Sequence, residues 1–368
     1  MKKSLRGAQY EHVCHLSRLS DCSIRGKGYA ALATALKSNP SHLEELDLRG
    51  NDPRHAELKL LTDLLQDPAC KLKSLRVLGS DTADEALVYL TSVLGGNPLL
   101  LTELDLRGKI PGDSGVKQFC ALLEDSQYRV EKLRLGNCSI TGEGCAALIS
   151  ALTSNPSHLK ELHLNDNVIG DSGLKQISTL LRNPDCKLQR LGLKSCSITE
   201  AGGTALASAL SSNPSSHLIE LDLDNNKLGD SGVKQISTLL RNPCCKLQTL
   251  GLSDCGVTGE GYAALATALK SNPSHLEELD LRGNDPGHSE VKLLTDLVED
   301  PTYKLQRLRL LSSGAADVAL VYLTAVLGGN PLLLTELDLR GKISGDSGVK
   351  QLCALLEDPH CRFKKVNL

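Results

Sequence analysis

The chain holds ten histidines, thirteen cysteines and 44 acidic side chains, ample material for catalysis or metal binding, yet their spacing argues against both. A catalytic centre needs residue types that break the surrounding pattern and converge. Here His42, His158, His217 and His275 recur at one phase of a repeating text, just before apolar segments, which marks a turn. No Cys-x-x-Cys pair occurs, and Cys244 and Cys245 are adjacent, which suits one metal ion poorly. Gly26-Lys27 and Gly108-Lys109 lack the earlier glycine and the following Ser or Thr of a phosphate-binding loop. The sequon Asn137-Cys138-Ser139 reads as a chance match. These residues predict no enzyme, no cofactor and no metal site. What remains is electrostatic recognition by blocks that alternate in sign, such as Glu103-Leu104-Asp105 and Lys132-Leu133-Arg134.

The elements that position those blocks recur every 29 residues. Apolar positions at Cys14, Leu43, Leu72, Leu101, Val130, Leu159, Leu188, Leu218, Leu247, Leu276, Leu305, Leu334 and Phe363 each open a short alternating segment. One interval is 30, where Ser215-Ser216 adds a residue before Leu218. The text from most of these positions is L-x-x-L-x-L-x-x-N/C, the leucine-rich repeat. Each repeat has a strand of period 2 around segments such as Leu221-Asp222-Leu223. A helix of period 3.6 follows, as in Val233, Ile236, Leu239 and Leu240. Neither half buries its own apolar face, so neighbouring repeats must stack. Strands step by about 4.8 Å and helices are about 10 Å wide, so the stack bends with the sheet inside. The expected fold is therefore α/β: a leucine-rich-repeat solenoid, or horseshoe, with a parallel concave sheet and convex helices. It should hold about 12 strand–helix units plus a terminal strand. Residues 1–13 read as a lead-in and 14–368 as one solenoid of two alternating repeat types.

Asn51, Asn167, Asn226 and Asn284 occupy the ninth repeat position, where a buried amide can satisfy backbone groups that lose strand partners. Cys22, Cys138, Cys196 and Cys255 hold it in the intervening repeats. Ser80, Lys109, Ser313 and Lys342 depart from the rule, and looser turns are expected at the two lysines. Thr141, Thr199 and Thr258 read as helix N-caps, with Asp171, Asp230, Glu143 and Glu260 suiting first turns. Pro40, Pro156, Pro184 and Pro243 should end helices.

In a strand opened at position s, residues s+2 and s+4 should face the concave side. Acidic strands carry Glu103 and Asp105, Glu278 and Asp280, Glu336 and Asp338; basic ones carry Arg76, Arg134, Arg190, Arg307 and Arg309. Asp47 can pair with Arg76, and Arg76 with Asp105. Such cross-strand pairs contribute roughly 0.2–1 kcal/mol each, and the same residues are the candidate partner-binding set. Arginines lead, because the face has no aromatic anchors and the chain has no Trp and two Phe.

Net charge is −3, so strong affinity for nucleic acid or acidic membrane is not implied. No apolar run approaches about 18 residues, so membrane insertion is not expected. The basic start lacks an apolar core and is no signal peptide. An odd number of cysteines at repeat-phased positions argues for free thiols in a reducing, cytoplasmic setting. The text ends within a strand at Phe363 to Leu368, so an open edge is expected, a route to end-to-end self-association. Above the repeat lies a duplication: Gly28 to Pro53 is identical to Gly261 to Pro286.

Cys-Ser-Ile-Thr-x-x-Gly in one repeat type and Gly-Asp-Ser-Gly-Val-Lys in the other resemble ribonuclease-inhibitor-type leucine-rich repeats. Within that class the text is most similar to the C-terminal arrays of NOD-like receptors, cytosolic innate-immune sensors in which a NACHT module precedes the repeats. The resemblance covers Cys14 to Leu368 and implies a ligand-sensing or autoinhibitory array with protein partners, or a free-standing relative of one. A ribonuclease inhibitor that binds a basic enzyme is the second candidate, although such inhibitors are more acidic and richer in cysteine and tryptophan. A structural adaptor without a ligand is the third.

Overall fold

The computed structural model describes residues 16–20, 22–38, 43–49, 51, 74–78, 102–108, 110, 112–124, 129–154, 158–272, 275–284, 305, 307–309, 336–338, 349–350, 353, 357 and 365–367. Thirteen strands form one parallel sheet in sequence order. They are β1 (Leu16–Arg18), β2 (Glu45–Arg49), β3 (Ser74–Leu78), β4 (Glu103–Asp105), β5 (Lys132–Arg134), β6 (Glu161–His163) and β7 (Arg190–Gly192). After these come β8 (Glu220–Asp222), β9 (Thr249–Gly251), β10 (Glu278–Asp280), β11 (Arg307–Arg309), β12 (Glu336–Asp338) and β13 (Lys365–Asn367).

The sheet register copies the sequence period. Glu103 pairs with Lys132, Leu104 with Leu133 and Asp105 with Arg134, a shift of one repeat. The longer interval is absorbed outside the strands, because Arg190 still faces Glu220 and Leu191 still faces Leu221. Equivalent side chains of successive repeats therefore stand side by side, about 4.8 Å apart. The central leucines point inward: Leu133, Leu162, Leu191, Leu221, Leu250 and Leu279 are buried.

Among the described residues seven helices cover the other side of this core. They are α1 (Gly26–Ser38), α2 (Gly112–Leu123), α3 (Gly142–Ser154), α4 (Gly170–Arg182), α5 (Glu200–Ser212), α6 (Gly229–Arg241) and α7 (Gly259–Ser271). Ile177 and Leu181 of α4 and Ile236 and Leu240 of α6 share one apolar cluster with the strand leucines. Successive helices from α2 to α7 also pack on one another. Helices α4 and α6 end at Arg182 and Arg241, with Asn183 and Asn242 as extended C-caps before Pro184 and Pro243. They begin at Gly170 and Gly229, whose φ angles of +57° and +56° turn the chain into the helix. A Cβ would meet open space at both positions, so the backbone angle is what calls for glycine there. Pro40, Pro156, Ser80, Lys109, Ser313 and Lys342 lie outside the described residues.

Candidate functional site

The strand positions are held from beneath by the asparagine ladder. Asn167 accepts the N–H groups of Cys138 and Ile140 of the preceding repeat at 3.0 Å each and donates to the carbonyls of Leu135 and Leu164 at 2.8 Å. Asn226 does the same with Cys196, Ile198, Leu193 and Leu223. Asn284 serves Cys255, Val257, Leu252 and Leu281, and Asn51 serves Cys22, Ile24, Leu19 and Leu48. One amide thus satisfies both repeats at the turn. The cysteines at the same phase do less. The thiols of Cys138, Cys196 and Cys255 each donate at 3.2 Å to a carbonyl of the preceding repeat, that of Leu106, Leu164 or Leu223. Burial pushes the Cys196 and Cys255 thiols up to about 12, as it does Cys145.

A second set of inter-repeat bonds corrects the reading of the helix starts. Thr199 and Thr258 are N-caps but form no side-chain cap of their own. Their hydroxyls donate to Asp171 and Asp230 of the preceding helix at 2.5 Å. Those carboxylates also accept Thr199 N–H and Gly202 N–H at 2.8 and 3.1 Å, and Thr258 N–H and Gly261 N–H at 2.8 and 3.0 Å. Each aspartate therefore caps the helix one repeat later. Glycine is required opposite it, because a Cβ on Gly202 would lie 2.5 Å, and on Gly261 2.6 Å, from an aspartate oxygen. Asp113 and Thr141 repeat the arrangement, with a 2.8 Å bond from Thr141 N–H. Thr141 additionally caps its own helix by accepting Glu143 N–H at 3.2 Å. The signal was in the sequence, as Gly-Asp-Ser-Gly spaced one repeat from Thr-x-x-Gly.

On the sheet face away from the helices, the charges interlock. Arg134 bonds Glu103 on one side and Glu161 at 3.2 Å on the other. Arg190 bonds Glu161 at 2.6 Å and Glu220 at 3.2 Å. Arg307 bonds Glu278, while Arg309 reaches Glu278 at 2.9 Å and Asp280 at 3.4 Å. The arginines reach diagonally as well as straight across, as long side chains can in a sheet. Glu103, Asp105, Glu161 and Asp280 are buried beneath them. Position s+6 also belongs to this face, which the s+2 and s+4 reading missed: Arg107 pairs with Asp105 at 2.7 Å and Arg282 with Asp280 at 2.5 Å. The alternation continuing through Asp105-Leu106-Arg107 was the available signal. Arg76 faces Asp47 and Asp105 in register. Glu336 faces Arg307 and Lys365, and Asp338 faces Asn367.

The alternation breaks at β9, which brings Thr249 and Gly251 where a basic strand would stand. An open hollow of about 200 Å³ lies there, bordered by Glu220, Asp222, Asp224, Glu278, Asp280 and Arg309. Burial first, then the adjacent Asp224 carboxylate, pushes Asp222 up to about 6. Burial also raises Asp224, opposed by the N–H of Ser253 that it accepts at 2.9 Å. Across the sheet, burial and then Arg134 lower His163 and favour its neutral form. No helix among the described residues is long and apolar enough to cross a membrane.

Comparison with known proteins agrees with this architecture. A family model described as the PRAME C-terminal domain matches residues 144–318, and a leucine-rich-repeat model matches 39–52. The NACHT, LRR and PYD domains-containing protein 12 of Homo sapiens is 39% identical over 333 residues, covering 90% of this chain and 31% of that protein. The ribonuclease inhibitor of Sus scrofa is 34% identical over 351 residues, covering 95% of this chain and 75% of the inhibitor. The chain thus spans about a third of the NACHT relative and three quarters of the inhibitor. A chain of the yeast Rad7–Elc1 complex shares the fold at 17% identity with a TM-score of 0.53, over 92% of this chain and 75% of its own. Stacked parallel strands, an asparagine–cysteine ladder and these identities together place the chain in the ribonuclease-inhibitor-type leucine-rich-repeat family.

Proposed function

We propose that the chain is a non-enzymatic protein-interaction scaffold, the ligand-sensing or autoinhibitory repeat array of a cytoplasmic NACHT-type innate-immune receptor or a free-standing relative of one. The observation that carries this reading is the open sheet face, where charges from successive repeats are held in register by ion pairs. A polar surface fixed before binding lowers the ordering cost of recognition. The 39% identity to a NACHT, LRR and PYD domains-containing protein supports the receptor side. Arg76, Arg134, Arg190, Arg307 and Arg309, with their acidic neighbours, form the proposed contact set. Substituting Arg307→Glu together with Arg309→Glu would set new carboxylates between Glu278 and Asp280 on β10 and Glu336 and Asp338 on β12. Partners captured and cross-linked by the unsubstituted chain should be lost, at a fold cost of about 1–3 kcal/mol. Capture of the same partners by the double variant removes this part of the face from the contact set.

A second reading, inhibition of a basic ribonuclease, is supported by the 75% of the inhibitor's length that the chain covers. The net charge of −3 supplies little long-range steering toward a basic enzyme. Titration of a pancreatic-type ribonuclease with the chain separates the two readings, since stoichiometric inhibition would favour the second.

A further inference from the structure

We propose that the hollow at Gly251 is the docking point for a lysine side chain from a loop of a protein partner, its ammonium set between Asp222, Asp224 and Asp280. This deepens the reading of the open sheet face as the binding surface and rests on it. The first support is a vacancy in the charge pattern. Acidic β6 lies between basic β5 and β7, and acidic β10 receives Arg307 and Arg309 from β11. Acidic β8 and β10 flank β9, which offers Thr249 and Gly251 in register with Glu220, Asp222, Glu278 and Asp280 and supplies no cation.

The surrounding charges do not fill the vacancy. Glu220 is shared with Arg190, Glu278 is held by Arg307 and Arg309, and Asp280 is held by Arg282 and Arg309. Of these cations Arg309 borders the hollow on its β11 side, where it pairs with Glu278 and Asp280, whereas Arg190, Arg282 and Arg307 are not among the bordering residues. Asp222 and Asp224 form no ion pair among the described residues. Among the described residues they accept Asp224 N–H at Asp222 (3.0 Å) and, from the next repeat, Ser253 N–H at Asp224 (2.9 Å) together with the Ser253 hydroxyl. Lys194 acts on both through space without pairing. The rim is also incompletely satisfied on its basic side, where Arg309 Nε is buried without a hydrogen-bond partner in the structure.

The second support is the shape. The hollow exists because residue 251 has no side chain, and a Cβ there would lie 2.7 Å from Asp224 Oδ1 and 3.2 Å from Asp222 Oδ1. Both carboxylates therefore lean over the strand that lacks a cation, around about 200 Å³ of open space. Among the described residues no three His, Cys, Asp or Glu side chains are arranged to hold a metal ion. The shape and charge suit a slender organic cation delivered from above, and a lysine is a point charge on a flexible stem. The charge of β8–β10 is complementary to such a loop, whereas β5 and β11 present arginines and Lys132.

The test uses the whole chain and a blocked single lysine, Nα-acetyl-lysine N-methylamide, with the norleucine analogue as the uncharged control. Carboxyl and amide NMR signals are followed during titration. Saturable shifts confined to residues 220–224, 249–251 and 278–280 are expected at about millimolar concentration. The norleucine analogue should give none. Asp222→Asn with Asp224→Asn should weaken lysine binding by roughly tenfold or more, as expected when about 1.4 kcal/mol of charge pairing is lost. These amides remove two unpaired carboxylates, so the double variant should melt no lower than the parent at pH 7, and lost binding is not unfolding. Shifts scattered over surface acids, or unchanged in the double variant, overturn the lysine site. So would calcium ions giving the same local shifts at lower concentration. Those outcomes leave the broader interaction face standing, because that face is judged by the Arg307→Glu and Arg309→Glu capture experiment.

Discussion

Replacing Asn167 with alanine should cost about 3 kcal/mol, and the number follows from its four bonds of 2.8–3.0 Å, a fifth to the Asn165 carbonyl being long at 3.4 Å. Asn167 is 1% exposed and serves the amides of Cys138 and Ile140 and the carbonyls of Leu135 and Leu164. The Leu164 carbonyl keeps a second donor, the Cys196 thiol at 3.2 Å. Three backbone groups then lose this partner, at about 1 kcal/mol of net hydrogen bonding each. A water entering the vacated amide volume would lower the figure, and the small void would raise it. Cys196→Ala is the internal control. It removes one weak thiol donor while the Leu164 carbonyl retains Asn167, so it should cost about 1 kcal/mol. Urea unfolding under reducing conditions, followed by circular dichroism, gives both values, with equal slopes required for the comparison. Hydrogen exchange at the Cys138 and Ile140 amides then localises the damage: both should speed up in Asn167→Ala and stay slow in Cys196→Ala. If the asparagine variant proves no costlier than the cysteine variant, the ladder does not hold the turns in the way described.

The cross-repeat caps predict that Asp171→Ala lowers stability by about 1–2 kcal/mol, read as a shift in the unfolding midpoint, because three donors of the next helix lose their acceptor. Gly202→Ala should also destabilise, against its better helix propensity, since the new Cβ would sit 2.5 Å from Asp171 Oδ1 and 2.7 Å from Ile198. Asp222 holds its proton more tightly folded, at about 6, than at its ordinary value of 3.8. The native state therefore carries the extra proton between those values and loses stability as pH rises through them. Asp222→Asn should accordingly raise the melting temperature at pH 7, by the equivalent of about 1–3 kcal/mol, with the gain fading toward about pH 4. A gain that persists in acid would refute the assignment. Thiol-reagent mass spectrometry at pH 8 should label exposed Cys22, Cys244 and Cys353 quickly. Cys145, Cys196 and Cys255, buried with thiols near 12, should react only after unfolding.

Repetition made the backbone legible. A parallel ladder shifted by one repeat aligns equivalent residues, so the spacing of Leu133, Leu162 and Leu191 already implied their stacking, and the extra residue at Ser215-Ser216 had to fall in a loop. The inward turn likewise demanded a side chain with both donor and acceptor, which pointed to Asn51, Asn167, Asn226 and Asn284. The residues of the charged face were legible in the same way, as alternating positions of known register. Their pairing was not. Arg134 stands in register with Asp105 and His163 on its two neighbouring strands, yet it reaches diagonally to bond Glu103 and Glu161, while Asp105 turns to Arg107 of its own repeat. Asp171 is a first-turn acid of its own helix, as expected, but its bonds to Thr199 N–H and Gly202 N–H of the next helix appear only once the helices are stacked. The reason is one of range. Backbone register follows from periodic hydrogen bonding and leucine burial, which the sequence alone encodes. The choice among several charged or polar partners within reach depends on ångström-scale differences in separation and solvent access, and only the packed repeats determine those.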